Sequence, residues 1–174
     1  MIPRSVVVFT GLPGTGKSTL ADRLATATST PCFAGDWLLG SLAPSGVLTD
    51  VPRPTMTGLY RNLLGTLMTR QLLLGQSAIL DCLLDDTTAQ EWERQVTGHG
   101  GRLSVVVCHC SDEALHRSRL DGRVRGIPGW HEIDWAHVER MRREYPPLTV
   151  PHLRVDAVDS LEVNLTAVWG YVQR

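Results

Sequence analysis

The sequence predicts one α/β domain in which a parallel sheet carries helices on both faces. Three observations predict it. Strand-like and helix-like patterns alternate along the whole chain, the sign of a parallel sheet with helices on both faces. The first strand-like run leads straight into a glycine-rich turn and then a helical segment. At 174 residues, with no internal repeat and no long linker, the chain fits a single core.

The elements follow in order. Ser5 to Thr10 is β-branched and short enough for a fully buried strand. A helix is expected from Lys17 to about Ala27, and a short second strand from Pro31 to Ala34. Ala43 to Pro54, rich in Pro, Gly and Ser, reads as a loop. The next helix places Leu59, Leu63 and Leu67, and Tyr60, Leu64 and Met68, at i, i+4 spacing and stops near Gly75. Ser77 to Leu80 forms the third strand and ends at Asp81.

Thr88 with Glu91 three residues later reads as a capping box opening a further helix, with Asp85 and Asp86 in the turn before it. Arg102 to Cys108 is the fourth strand, and Ser111-Asp112-Glu113 caps the helix after it. That helix runs to Asp121-Gly122 and continues as a polar segment to Trp130. A helix from about Ile133 is halted after Glu144 by Pro146-Pro147. His152 to Asp156 is the fifth strand, and Ser160 to Val172 the closing helix. The domain is expected to span 1–174, with a lid at about 117–131.

Composition narrows the function classes. The chain is 43% hydrophobic and 20% charged, within the globular range. Its net charge of −1, from 17 basic and 18 acidic residues, lacks the basic excess of a nucleic-acid binder, so that partner is not favoured. No run approaches the ~20 apolar residues of a membrane span, and Val6 to Phe9 is too short for a secretory signal. Cys32, Cys82, Cys108 and Cys110 lack disulfide-framework spacing, which predicts a reduced, cytoplasmic protein. Cys108-His109-Cys110 sits on a strand, where 109 points away from 108 and 110, so buried cysteines are expected there and not a zinc site.

The strongest motif is Gly11-Leu-Pro-Gly-Thr-Gly-Lys17-Ser18-Thr19, a complete G-x-x-x-x-G-K-[ST] between a buried strand and a helix. Glycine lets successive amides curl inward onto phosphate oxygens, and the helix N-terminus adds partial positive charge. Gly11, Pro13, Gly14, Thr15, Gly16, Lys17, Ser18 and Thr19 are therefore the candidate nucleotide cradle. Lys17 is placed to reach the β- and γ-phosphates, and the Ser18 hydroxyl to ligate Mg²⁺.

Two carboxylates at strand ends add to it. Asp81, after an apolar strand, has the position of an acid that holds Mg²⁺ or its water shell, against a turn or capping role. Asp36, after the second strand, is the candidate base for an acceptor hydroxyl, against an N-cap role for a short helix. His116-Arg117-Ser-Arg119-Leu-Asp-Gly-Arg123-Val-Arg125 packs four arginines into nine residues. Arg119 and Arg123 share a face if the helix persists, and Arg123 is the candidate stabiliser of charge on the transferred group. The alternative is a solvated basic helix end.

With these residues in place the chain resembles the P-loop kinase group, above all the small AAA-domain kinase-like proteins that include chloramphenicol phosphotransferase, zeta toxin and polynucleotide kinase. The resemblance covers nearly the whole chain. It implies a five-stranded sheet in the order 2-3-1-4-5, with ATP and Mg²⁺ as the nucleotide and metal. It also implies that the acid after strand two deprotonates the acceptor and that the lid arginines, here Arg119 and Arg123, contact adenine and phosphates. The sequence departs from the group at Trp37, where many relatives carry a polar or basic residue. Trp37, Arg53, Tyr60 and Arg61, in the segment that builds the acceptor pocket of relatives, match no subfamily. Trp130 and His131 are further pocket candidates, whereas Trp135 is expected in the core.

The expected activity is transfer of the ATP γ-phosphate to a hydroxyl of a small molecule, an antibiotic or a sugar-like metabolite. A nucleic-acid end kinase and a nucleotide-dependent ATPase or switch are the alternatives. No Asn-Lys-x-Asp is present to specify guanine.

Overall fold

The computed structural model describes residues 4–174. Five strands form one parallel sheet: β1 (Ser5–Thr10), β2 (Cys32–Ala34), β3 (Ala78–Asp81), β4 (Arg102–His109) and β5 (Leu153–Asp156). Their order is β2-β3-β1-β4-β5, with every neighbouring pair parallel, as the resemblance implied. The central strand β1 is buried along its whole length. Its period-two alternation feeds two cores. Val6 and Val8 face one layer, and Val7 and Phe9 the other.

The first layer holds α3 (Arg53–Leu73) and α4 (Asp86–Gly98). Leu64, Met68 and Leu72 from α3 and Trp92 and Val96 from α4 close over Val6, Val8 and Leu80. Their four-residue spacing lines one helical face. The second layer holds α1 (Lys17–Thr28) and α7 (Leu161–Val172), whose Leu20, Leu24, Val168 and Val172 cover Val7, Phe9 and Val106. Two shorter helices, α5 (Glu113–Leu120) and α6 (Trp135–Glu144), flank the C-terminal edge of the sheet. Leu120, Trp135 and Val138 form a small third cluster there, so Trp135 is core as expected.

Local signals differ from expectation at three places. Helix α3 starts at Arg53, inside the expected loop, and Pro54 lies in its first turn. Proline tolerates that position, because the amide it lacks has no intrahelical partner there. The capping box at Thr88 is not formed: Asp85 is the N-cap of α4 and its carboxylate accepts from the Thr88 amide. Helix α5 ends at Leu120, with Asp121 as its C-cap. Arg123 therefore lies in the irregular segment beyond, and the shared helical face with Arg119 does not exist. The Gly75 stop holds, with φ 74° just past α3. Among the described residues no helix is long and apolar enough to cross a membrane.

Candidate active site

Strand β1 ends at the middle of the sheet, and the chain turns there into a loop over the C-terminal strand ends. Gly11 (φ 145°), Gly14 (φ 84°) and Gly16 (φ 83°) occupy backbone conformations that favour glycine. Two of them also permit close approach. A Cβ on Gly11 would run into the Cys108 carbonyl of β4, and one on Gly14 into Leu120 and His116 of α5. The Thr15 hydroxyl donates to the Leu12 carbonyl at 2.7 Å, closing the loop on itself.

The loop is also pinned from outside. His116 is 1% exposed, and its Nε2 lies 2.7 Å from the Pro13 carbonyl. A carbonyl only accepts, so this nitrogen carries the proton. The Trp135 ring meets the imidazole edge-on at 5.1 Å. Sequence reading passed over His116; its only signal was a histidine on the loop-facing side of a short helix.

Two of the cavities beside this loop meet at Lys17. One, of about 310 Å³, runs along Gly14 to Leu20 and out to Arg119, Ala157 and Asn164. The other, of about 480 Å³, contains Asp22, Asp36 and Asp81 together with α3, α6 and the segment after α5. Lys17, Ser18 and Arg123 line both. They are the shared wall.

The four arginines after His116 separate. Arg117 lies over the Trp135 ring, 5.5 Å from its centroid. The Arg119 guanidinium donates to the Ala157 carbonyl at 2.9 Å, beside the smaller cavity. Arg123 sits at the junction; burial, then the neighbouring Arg125, holds its guanidinium below the ordinary arginine range. Arg125 donates from Nη1 to Asp36 Oδ2 at 2.6 Å, and its backbone amide donates to Glu132 at 2.9 Å. Arg125 was not singled out from the sequence.

Asp36 is the second residue of α2 (Gly35–Leu42), whose N-cap is Ala34. Its carboxylate thus serves Arg125 and not the helix end, which removes the N-cap alternative. Gly35 gives way to the Tyr60 ring, since a Cβ there would overlap it. The Tyr60 hydroxyl in turn accepts from the Leu83 amide at 3.1 Å, tying α3 to the chain after β3. At the far end of α2, Gly40 meets Pro128, and Gly129 (φ 68°) lies against the Gly40 carbonyl. The arginine-bearing segment is thereby seated on α2.

Asp81 is 8% exposed, and its Oδ1 is buried without a hydrogen-bond partner. Its charge is felt around it. Burial, then Asp81, raises the Asp22 carboxyl above its usual range. Burial, then Asp81 and Asp22, pushes the Cys32 thiol up to about 12. Asp22 was missed in the sequence, although it lies four residues after Ser18 and so on the same helical face. An orphaned carboxylate oxygen in a negative field, with a hydroxyl at Ser18 on the same cavity, suits a hard divalent cation. The residues fit Mg²⁺.

Cys108, His109 and Cys110 do not converge. Cys108 is buried in the second core, His109 turns to Asp156 at 3.8 Å, and Cys110 contacts the Asp112 carbonyl. Among the described residues no group of three or more His, Cys, Asp or Glu donors is placed to hold a metal. Trp37, Arg53, Tyr60, Arg61, Trp130 and His131 all line the larger cavity.

The family described as AAA domain matches residues 6–148. No curated protein sequence matches the chain. Among solved structures, a provisionally assigned kinase from Chloroflexus aurantiacus J-10-fl is similar at 21% identity and TM-score 0.72, over 97% of this chain and 98% of that one. A gluconokinase from Sinorhizobium meliloti 1021 is similar at 19% identity and TM-score 0.70, over 98% and 92%. The APS kinase of Mycobacterium tuberculosis, in complex with AMPPNP and APS, is similar at 17% identity and TM-score 0.64, over the full length of both chains. At these identities the likeness establishes the fold.

Proposed function

The chain belongs to the AAA-domain family, and we propose that this member is an ATP- and Mg²⁺-dependent kinase that phosphorylates a hydroxyl of a small molecule. The observation that carries this reading is the pair of cavities meeting at Lys17, Ser18 and Arg123. A hydrolase needs room for water; a kinase needs a second chamber on the far side of the γ-phosphate. Asp36 lies in that second chamber.

In this reading the glycine-loop amides and Lys17 hold the phosphates in the smaller cavity. Arg119, anchored on Ala157, borders the nucleoside end. Ser18 and Asp81 would hold Mg²⁺, which supplies charge neutralisation at the β- and γ-phosphates. The acceptor oxygen attacks the γ-phosphorus from the larger cavity, and the bond from phosphorus to the β-phosphate oxygen breaks. Asp36 takes the proton that the acceptor hydroxyl loses, and ADP leaves. Arg123, at the junction, stabilises the charge on the transferred group. Of the expected lid at 117–131, the part beyond α5, from Asp121 to His131, acts as the lid, holding water out.

The test is a screen of hydroxyl compounds with ATP and Mg²⁺, read as ADP release and as gain of one phosphoryl group by mass. Lys17→Ala is the blank. Phosphorylated product from the parent and none from the blank is expected. ATP hydrolysis that no compound stimulates would instead support the ATPase or switch reading.

A further inference from the structure

We propose that the acceptor is an uncharged hydroxyl compound with an aromatic or other flat apolar body, an inference that rests on the kinase reading. Away from the phosphate side, the larger cavity is walled largely by apolar groups. Met56 and Tyr60 from α3, Met141 from α6 and Tyr145 just past its end, and Ile127 and Trp130 from the segment between α5 and α6 line it. Trp37, 52% exposed, adds an indole to the same cavity. Flat apolar walls of this kind reward a ring or a hydrocarbon body, and they give little to the hydroxyls of an open sugar chain.

The charges of the cavity point the same way. Five arginine and lysine side chains line it: Lys17, Arg53, Arg61, Arg123 and Arg125. Arg53 is held by both carboxylate oxygens of Glu144, Arg61 by Asp85, and Arg125 by Asp36. Lys17 and Arg123 face the smaller cavity as well and are committed to phosphate. No guanidinium or ammonium on the acceptor side is left without a carboxylate. A carboxylate, sulfate or phosphate on the acceptor would meet cations whose charge is already balanced by these partners, and it would enter beside Asp22, Asp36 and Asp81. Each costs affinity, and neither cost falls on a neutral compound.

Two histidines complete the lining, His131 and His137. Burial, then Arg140 and His131, holds the His137 imidazole below its usual range, so it is neutral near pH 7. Its Nδ1 accepts from Arg140 at 2.7 Å, leaving Nε2–H as a neutral donor. That is a group for a hydroxyl or ether oxygen, not a counter-ion.

The experiment is calorimetric titration of the Mg²⁺–AMPPNP-loaded protein with four probes that cross the two variables. These are 3-phenyl-1,2-propanediol, 3-phenyllactate, glycerol and glycerate. The phenyl diol is expected to bind at least about tenfold more tightly than each of the other three, the scale of discrimination that an apolar pocket provides. Glu144→Gln, which releases Arg53, is expected to narrow the preference for the diol over phenyllactate by about threefold or more. Tighter binding of either carboxylate, indifference to the phenyl group, or no binding by the diol overturns the proposed class. AMPPNP binding, titrated first, tests the nucleotide site separately; its absence would sink the kinase reading instead.

Discussion

Arg125 Nη1 stands 2.6 Å from Asp36 Oδ2, and this ion pair joins the segment after α5 to the start of α2. The side chains of both residues are largely withdrawn from solvent, at 12% and 28% exposure. Only one of the two carboxylate oxygens is engaged; among the described residues, Oδ1 makes no hydrogen bond. A base needs that arrangement, one oxygen held for orientation and one open to a proton. Asp36→Asn keeps the shape and removes the proton acceptor. Acceptor-dependent turnover should fall ~100- to 10,000-fold, while nucleotide affinity stays near the parent value. Product mass and AMPPNP titration measure the two; retained transfer would remove Asp36 as the base.

Asp81→Asn removes the charge of the buried carboxylate whose Oδ1 has no partner. Asparagine keeps an oxygen there but not the negative field. The Mg²⁺ concentration for half-maximal turnover should rise, by about 10- to 100-fold if the carboxylate acts on the ion as such supporting groups do elsewhere. An unchanged Mg²⁺ titration in a folded variant would make Asp81 structural.

His116→Ala tests the pin between α5 and the glycine loop. The variant leaves the Pro13 carbonyl without its donor and opens space beneath Trp135. A stability loss of about 1–3 kcal/mol is expected from the unpaired buried group alone, read by urea unfolding. Nucleotide affinity should fall with it, because the loop loses its outer support. His116→Gln, which can still donate, should recover part of both losses. Equal behaviour of the two variants would show that only volume matters at this site.

Asp156 gives a pH prediction. Burial pushes its carboxyl up, but bonds from Ser111 and the Val158 amide, with His109 nearby, outweigh it and leave the group at about 2. An unfolded aspartate titrates near ~3.9. The folded value is the lower one, so its stabilisation is present above about pH 4 and is lost as pH falls toward 2. Melting temperature should therefore rise with pH between about 2 and 4, and Asp156→Asn should flatten that rise. Parallel curves would contradict the assignment.

Much of this was legible in the sequence because the motif and the strand pattern are local. Gly11 to Thr19 needs only its own residues and flanks, and the strands are short runs ending at turns, with β1 and β4 marked by consecutive valines. Arginine fates were not legible. Four guanidinium groups lie within nine residues, and only the end of α5 at Leu120 sends Arg119 to Ala157 but Arg125 to Asp36. Nothing local marks which long side chain turns inward. Pro54 failed for the opposite reason: read as a loop residue, it stands in the first turn of a helix, where the missing amide has no intrahelical partner. At Thr88 a valid capping pattern lost to the Asp85 carboxylate one turn earlier.

Gly40 is the seat on which the arginine-bearing segment rests, with Pro128 and Gly129 against a helix surface that has no room for a methyl group. If the proposed kinase opens this segment to release ADP, the contact at Gly40 must break, and the pace of release would depend on it. Gly40→Ala would wedge the seat, shortening the dwell of both products and of unreacted ATP. Such an enzyme would cycle quickly and leak, hydrolysing nucleotide in place of delivering it.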